Sequence, residues 1–282
     1  MISVKYFSKI LILFLSTFFL SVAAQEPIKE YRYKDNLYLV GDRVFSLYYI
    51  TDDGVVVIDP ISRSIAGETM KSIRRHTKLP VKYVIYSHNH WDHNLGGEIY
   101  KKEGAKFMTH EEAFKNFPPN PEVINPDETW KGNKRTLKMG KQNIELYYYG
   151  KNHGSGMTVF RFPEHDAVFT VDLVVPDRVL YAYLPDASPQ KWLKDLYEIK
   201  KLSFNDLLMA HVRPVGSRKD LDLQIQYFED LYEETKKAME KKTSFFDIPT
   251  TVKMPQYQHL QNYNEWLHMN VWRILMEIST GV

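Results

Sequence analysis

Apolar positions in this chain fall into two rhythms. Short runs rich in valine, isoleucine, tyrosine and phenylalanine occupy residues 36–41, 44–51, 55–59 and 81–86, with polar breaks between them. Such runs predict strands, and Asp52-Asp53-Gly54 between two of them predicts a hairpin. Residues 64–76 instead space Ile65, Met70 and Ile73 at helical intervals, and Leu79-Pro80 ends that element. Further along, 98–102 and 110–116 predict helices around a short strand at 105–109. Strands are predicted at 141–149, 157–162, 167–171 and 207–210. Helices are predicted at 189–201, opened by Ser188 and Pro189, at 221–242 and at 263–278. Residues 117–134 carry prolines and asparagines without periodicity and predict a long loop. The mixed order of strands and helices predicts one α/β domain.

Composition adds a compartment and removes a class of partner. The 282 residues are 44% apolar and include no cysteine, so a large core must hold the chain together without disulfides. Residues 1–24 have the pattern of a secretory leader: Lys5 and Lys9, an apolar run over 10–20, then Val22-Ala23-Ala24 before Gln25. That run is short of the roughly 20 residues a membrane span needs. The mature chain, 25–282, is therefore expected to be periplasmic or secreted, with no stable membrane anchor. Of 37 basic side chains against 35 acidic, the two in excess match the two leader lysines. A neutral mature chain argues against a general grip on nucleic acid and leaves a small molecule as the expected partner.

The chemistry concentrates where predicted strands end. After the strand at 81–86 comes Ser87-His88-Asn89-His90-Trp91-Asp92-His93-Asn94-Leu95-Gly96-Gly97, with four metal-binding side chains in six residues. Imidazole and carboxylate together suit zinc, and a loop lets two rings of a His-x-His pair converge on one ion. Three more strand ends carry the same residue types: Gly150 to Gly156 around His153, then Asp172 after 167–171, then His211 after 207–210. One such residue is ordinary. Four strand ends in one sheet system would lie side by side.

The sequence His88-x-His90-x-Asp92-His93, followed in order by His153, Asp172 and His211, resembles the metallo-β-lactamase-fold superfamily. Residues 55–59, a strand ending in Asp59, resemble the opening of that family's pattern. The likeness covers about 36–240. It implies an αβ/βα four-layer sandwich, two mixed β-sheets with helices on both outer faces. It also implies two zinc ions per chain, with iron and manganese fitting the same donors. His88, His90 and His153 would hold one ion and Asp92, His93 and His211 the other. Asp172 would bridge them, and Asp59 would fix the ligand loop from behind. The implied reaction is cleavage of a small lactam, lactone or ester by a metal-bound hydroxide, with Asp92 orienting it and taking its proton.

Departures from the family pattern narrow this. Gly154-Ser155-Gly156 stands where many relatives have Thr-Pro-Gly. Asp172 stands where some lactamases have cysteine, and Val175 where those have a substrate-gripping lysine. Arg178 or Arg213 could take that lysine's place, although exposed arginines are common. Tyr147, Tyr148, Tyr149, Tyr181 and Tyr183 flank ligand positions and are expected mainly to pack between sheets, and Trp91 to pack its loop. Two other classes compete with a hydrolase: an iron-dependent oxidoreductase of the same fold, resembling persulfide dioxygenases, and a non-catalytic metal-binding protein of the cell envelope.

Overall fold

The computed structural model describes residues 26–175, 177–241 and 244–281. The leader expected at 1–24 lies outside them. In chain order the elements begin β1 (Lys29–Lys34), β2 (Leu37–Gly41), β3 (Phe45–Thr51), β4 (Gly54–Ile58), α1 (Arg63–His76) and β5 (Val81–Ile85). They continue α2 (Trp91–Asn94), α3 (Glu98–Lys102), β6 (Lys106–His110), α4 (Glu111–Lys115), β7 (Glu128–Trp130), β8 (Lys134–Met139), β9 (Gln142–Tyr148) and β10 (Thr158–Phe162). The rest are β11 (Ala167–Phe169), α5 (Pro189–Lys200), β12 (Asp206–Leu208), β13 (Val215–Ser217), α6 (Arg218–Glu240), α7 (Ile248–Thr251) and α8 (Tyr263–Thr280).

Strands β1 to β7 form one sheet in chain order, and β13-β12-β11-β10-β9-β8 form the other. Both are mixed. In the first, β1 to β4 pair antiparallel and β4 to β7 parallel. In the second, only β11 and β12 run parallel. Period-two alternation explains the layering. Leu37, Leu39, Leu47, Val56 and Ile58 face the core shared with the second sheet. Tyr38, Val40, Tyr48, Val55 and Val57 face the other way, onto Ala66, Met70 and Ile73 of α1 and Tyr100 of α3. Helices α5, α6 and α8 pack with the second sheet through Trp192, Leu196, Phe228, Leu231 and Ile274. The architecture is the expected sandwich of two mixed sheets with helices outside.

Several boundaries differ from expectation. The stretch 117–134 is not all loop: β7 lies within it and pairs with β6. Strands β1, β8 and β13 were not anticipated. β1 (KEYRYK) and β8 (KRTLKM) are sheet edges whose lysines break the apolar pattern, which also protects an edge from pairing with other chains. Helix α6 begins three residues before the predicted start, at a capping box in which Ser217 and Asp220 bond each other's backbone N–H groups.

Edge strand β1 is tied to α1 by Glu30. Its carboxylate accepts from Ser72 Oγ at 2.6 Å, from Arg75, and pairs with His76 at 2.8 Å. Burial would raise this carboxyl, but the bonds from Ser72, His76 and Arg75 outweigh it and bring it to about 2. A depressed carboxyl stabilises the fold above its unfolded value, and that stability disappears as pH falls from about 4.5 towards about 2. Glu30→Gln should cost about 1 kcal/mol at pH 7 after solvent screening, and nothing near pH 2, in denaturant unfolding followed by circular dichroism.

Candidate metal centre

The first sheet delivers Asp59 and residues 87–93 at the ends of its parallel strands β4 and β5. The second delivers Asp172 and His211 just past its parallel strands β11 and β12. The loop after β9 brings His153. Backbone contacts pin the two sheets together here: Phe45 N donates to Ala210 O at 2.8 Å, Val212 N to Arg43 O at 3.0 Å, and Thr158 N to Ser87 O at 2.8 Å. Ligand-type residues far apart in sequence therefore meet at one rim.

The meeting point is Asp172. His153 Nε2 lies 3.1 Å and His93 Nε2 3.3 Å from its Oδ2, and His211 Nε2 lies 2.9 Å from its Oδ1. His88 Nε2 lies 3.7 Å from Oδ2 and is buried without a hydrogen-bond partner. Two overlapping donor sets share Asp172, His88-His90-His153-Asp172 and His93-Asp172-His211, each with donor atoms within 4.8 Å of one another, and a further group, Asp59-His88-His93, meets the same limit. Asp59 stands behind. Its Oδ1 accepts from Ser87 N at 2.7 Å, and its Oδ2 from Ser87 Oγ at 2.6 Å and His93 Nδ1 at 3.1 Å. Asp92 is different. It is exposed on the cavity rim beside His90, and its carboxylate belongs to neither set.

Three of the five histidine rings are held by hydrogen bonds from outside the centre. Ser87 Oγ holds His88 Nδ1 at 2.8 Å, and Asp59 holds His93 Nδ1, so both present Nε2 to the centre. Asp186 takes His90 Nε2 at 2.9 Å, which leaves Nδ1 for an ion. Asp186 was missed in the sequence because it follows Leu184-Pro185 in a stretch with no apolar periodicity. The His153 backbone is set by Asn152, whose Oδ1 accepts from His153 N at 2.7 Å and whose Nδ2 donates to Asp195 at 2.9 Å, while the ring Nδ1 is buried without a hydrogen-bond partner. Trp192 meets the His153 ring edge-on at 4.9 Å. Gly154 fits its place sterically: a Cβ there would lie 2.9 Å from Asn89 Oδ1 and 3.0 Å from His90 Nε2.

Electrostatically the cluster calls for a cation. Burial would raise Asp172, yet His211, His93 and His153 hold it well below the usual carboxylate range. Burial would lower His93, but Asp172 and Asp59 hold it well above its ordinary value. His88, buried among other imidazoles, is pushed well down and stays a neutral donor. Deprotonated carboxylate, neutral imidazole and an orphaned buried Nε2 are what a divalent ion requires, so the residues present fit one.

A cavity of about 630 Å³ opens over the centre, lined by His90, Trp91, Asp92, His153, Asp172 and His211 among others. Tyr147, Tyr148 and Tyr149 pack against the core and do not line it. Trp91, expected to pack its loop, is 53% exposed on the rim. Arg213 is bound to Asp177 and Asp220. Arg178 lines the cavity.

The profile of the metallo-beta-lactamase superfamily matches residues 39–211. The chain belongs to that superfamily. Among curated relatives of this superfamily member is the metallo-beta-lactamase type 2 of Elizabethkingia meningoseptica. It is 29% identical over 191 residues, which is 62% of this chain and 74% of that protein. The alpha subunit of 2,4-dinitroanisole O-demethylase from Nocardioides sp. (strain JS1661) is 23% identical over 199 residues, 69% of this chain and 59% of that subunit. This chain thus aligns with well under two thirds of the O-demethylase subunit. Among solved structures, a metallo-beta-lactamase from Pontibacter korlensis superposes with a TM-score of 0.63 at 19% identity, over 72% of this chain and 99% of that one. A stereoselective inverting sec-alkylsulfatase from Pseudomonas sp. reaches 0.74 at 15% identity, over 90% of this chain and 50% of that one. The last two share the fold.

Asp195 gives this region a pH signature. Burial, opposed by the Asn152 bond, raises its carboxyl from 3.8 to about 6. A raised carboxyl binds its proton more tightly in the folded state, so stability falls as pH rises from about 4 to about 6. Asp195→Asn should flatten that fall and raise the melting temperature at pH 7 by about 2–5 °C, by calorimetry across pH.

Proposed function

We propose that this chain is a hydrolase of small lactams, lactones or esters that works with two zinc ions outside the cytoplasm. The observation that carries the reading is the convergence of His93, His153 and His211 on the buried Asp172, with His88 unpartnered beside them. Nitrogen and oxygen donors without cysteine favour zinc, although iron and manganese accept the same set. The leader-like sequence at 1–24 supports export, and the Elizabethkingia metallo-beta-lactamase supports hydrolysis.

His88, His90 and His153 would hold one ion and His93 and His211 the other, with Asp172 between and Asp92 as a further ligand. Ions bound there supply Lewis acidity and make water a nucleophile near neutral pH. The chain's own residues do the rest. Ser87, Asp59 and Asp186 orient the rings of His88, His93 and His90, so that each of these presents its other nitrogen to the centre. Asp92, exposed at the rim, accepts the proton released as water attacks and returns it to the leaving group. A second reading, removal of a methyl group from an aromatic ether, draws on the O-demethylase relative alone.

Elemental analysis of the purified chain, with turnover of chromogenic lactam, lactone, arylester and phosphodiester substrates and of 2,4-dinitroanisole, tests the reading. Near two zinc per chain with turnover of a lactam, lactone or arylester is expected. One iron per chain with oxygen uptake on glutathione persulfide would replace it with the oxidoreductase. His153→Ala should cut turnover by about 100-fold or more and lower metal content while the far-ultraviolet spectrum stays the same. Retained activity in that variant would remove His153 from the centre.

A further inference from the structure

We propose that Asn270 and Arg273 of α8 are positioning residues for the metal centre. They hold the cavity wall at 177–187 in the shape that keeps Asp186 on His90. The inference rests on the reading of the site as a metal centre.

The wall is a stretch that does not hold itself. Residues 177–187 contain no helix and no strand of either sheet, so their backbone groups lack the partners a ladder would give. Asp177, Ala182 and Leu184 have φ of 63°, 42° and 48°. Such residues persist only where surrounding contacts over-determine them. Tyr181, Leu184 and Asp186 line the cavity, and Asp186 reaches His90 Nε2 at 2.9 Å. A shift of this wall therefore reaches a donor ring directly.

Helix α8 supplies what the wall lacks. Asn270 is fully buried, and its Nδ2 donates to Leu180 O at 3.0 Å and to Ala182 O at 2.8 Å. Arg273 Nη2 donates to Ala187 O at 2.6 Å, and Glu277 accepts from Gln190 N at 3.1 Å. Positions 270, 273 and 277 are three and four apart and share one helix face. Their partners advance in the same order along the chain, 180 and 182, then 187, then 190. Helix and wall thus meet in register over more than one turn. From behind, α6 fixes the same face: Tyr227 Oη donates to Asn270 Oδ1 at 2.8 Å, and Tyr232 Oη donates to Glu277. With Oδ1 taken by Tyr227, the amide turns both its hydrogens to the wall carbonyls. An aspartate there could accept from Tyr227 but would repel those carbonyls. Helix α8 lies outside residues 39–211, the span that the superfamily profile matches.

Two readouts test this, neither of them turnover: hydrogen exchange by mass spectrometry, and zinc affinity by competition with 4-(2-pyridylazo)resorcinol. Asn270→Leu should speed exchange in 177–187 by about tenfold or more and weaken zinc binding by about tenfold. Tyr227→Phe is the stability control, because it disturbs the same buried network and leaves the donors to the wall in place. It should lower the melting temperature and keep zinc affinity within about twofold of wild type. If Tyr227→Phe weakens zinc as much as Asn270→Leu, lost stability explains both and the proposal is overturned. Asp186→Asn should weaken zinc by itself, and adding Asn270→Leu to it should weaken zinc no further. A further loss beyond about twofold overturns the route through Asp186. Should Asn270→Leu fail to melt cooperatively, Arg273→Met decides: about threefold weaker zinc binding supports the proposal and no change overturns it. Wild-type protein that takes up no zinc sinks the metal-centre reading and this inference with it. Zinc binding that Asn270→Leu leaves unchanged sinks this inference alone.

Discussion

One buried carboxylate, Asp172, organises the molecule's chemistry. Alone, an ionised aspartate in this position would cost several kcal/mol in lost hydration. It is tolerated because imidazoles from three other stretches of chain, His93, His153 and His211, close on it. The His93 imidazole is held in turn by Asp59, and the His153 backbone by Asn152. The two sheets are thus joined by electrostatics as well as by the apolar core, and the joint can exist only if both sheets are in register with each other.

Backbone conformation records the cost of building that joint. Asp59, Ile61, Val171, Leu184 and Val212 all have φ between 48° and 68°, a region that side chains other than glycine disfavour. Ile61, Val171 and Val212 are β-branched, for which the strain is greatest. Three of the five sit directly beside a donor or are one: Asp59 itself, Val171 before Asp172, and Val212 after His211. Each such residue costs of order 1–3 kcal/mol, and the surrounding hydrogen bonds must over-determine it. Ile61 N, for example, donates to His93 O at 3.0 Å, and Asp59 N to Ile85 O at 3.0 Å. The chain spends stability at its donors to aim them.

Much of this was legible in the residues, and the illegible part has a common cause. Central strands such as β4, GVVVI, are buried on both faces and announce themselves as apolar runs. The 88–93 cluster is dense, and His153, Asp172 and His211 each follow a run of that kind. Edge strands β1 and β8 are half polar, and β7 is three residues long, so neither periodicity nor length marks them. The orienting groups were hidden for another reason. Asp186 and Asp195 act only across distances of 96 and 43 residues, on His90 and Asn152. Nothing local distinguishes them from surface aspartates. The expected ligand Asp92 shows the converse: its motif position is plain, while its carboxylate stands at the rim.

The order of strands has a further meaning. Every strand of the first sheet precedes Lys131, and every strand of the second follows Asn133, with exposed residues 131–133 between. The residues around the centre divide at the same place: Asp59, His88, His90 and His93 before it, His153, Asp172 and His211 after. Both donor sets built on Asp172 draw on the two halves. Bound ions would act as a clasp between two complementary segments, added to the apolar core that the two sheets already share.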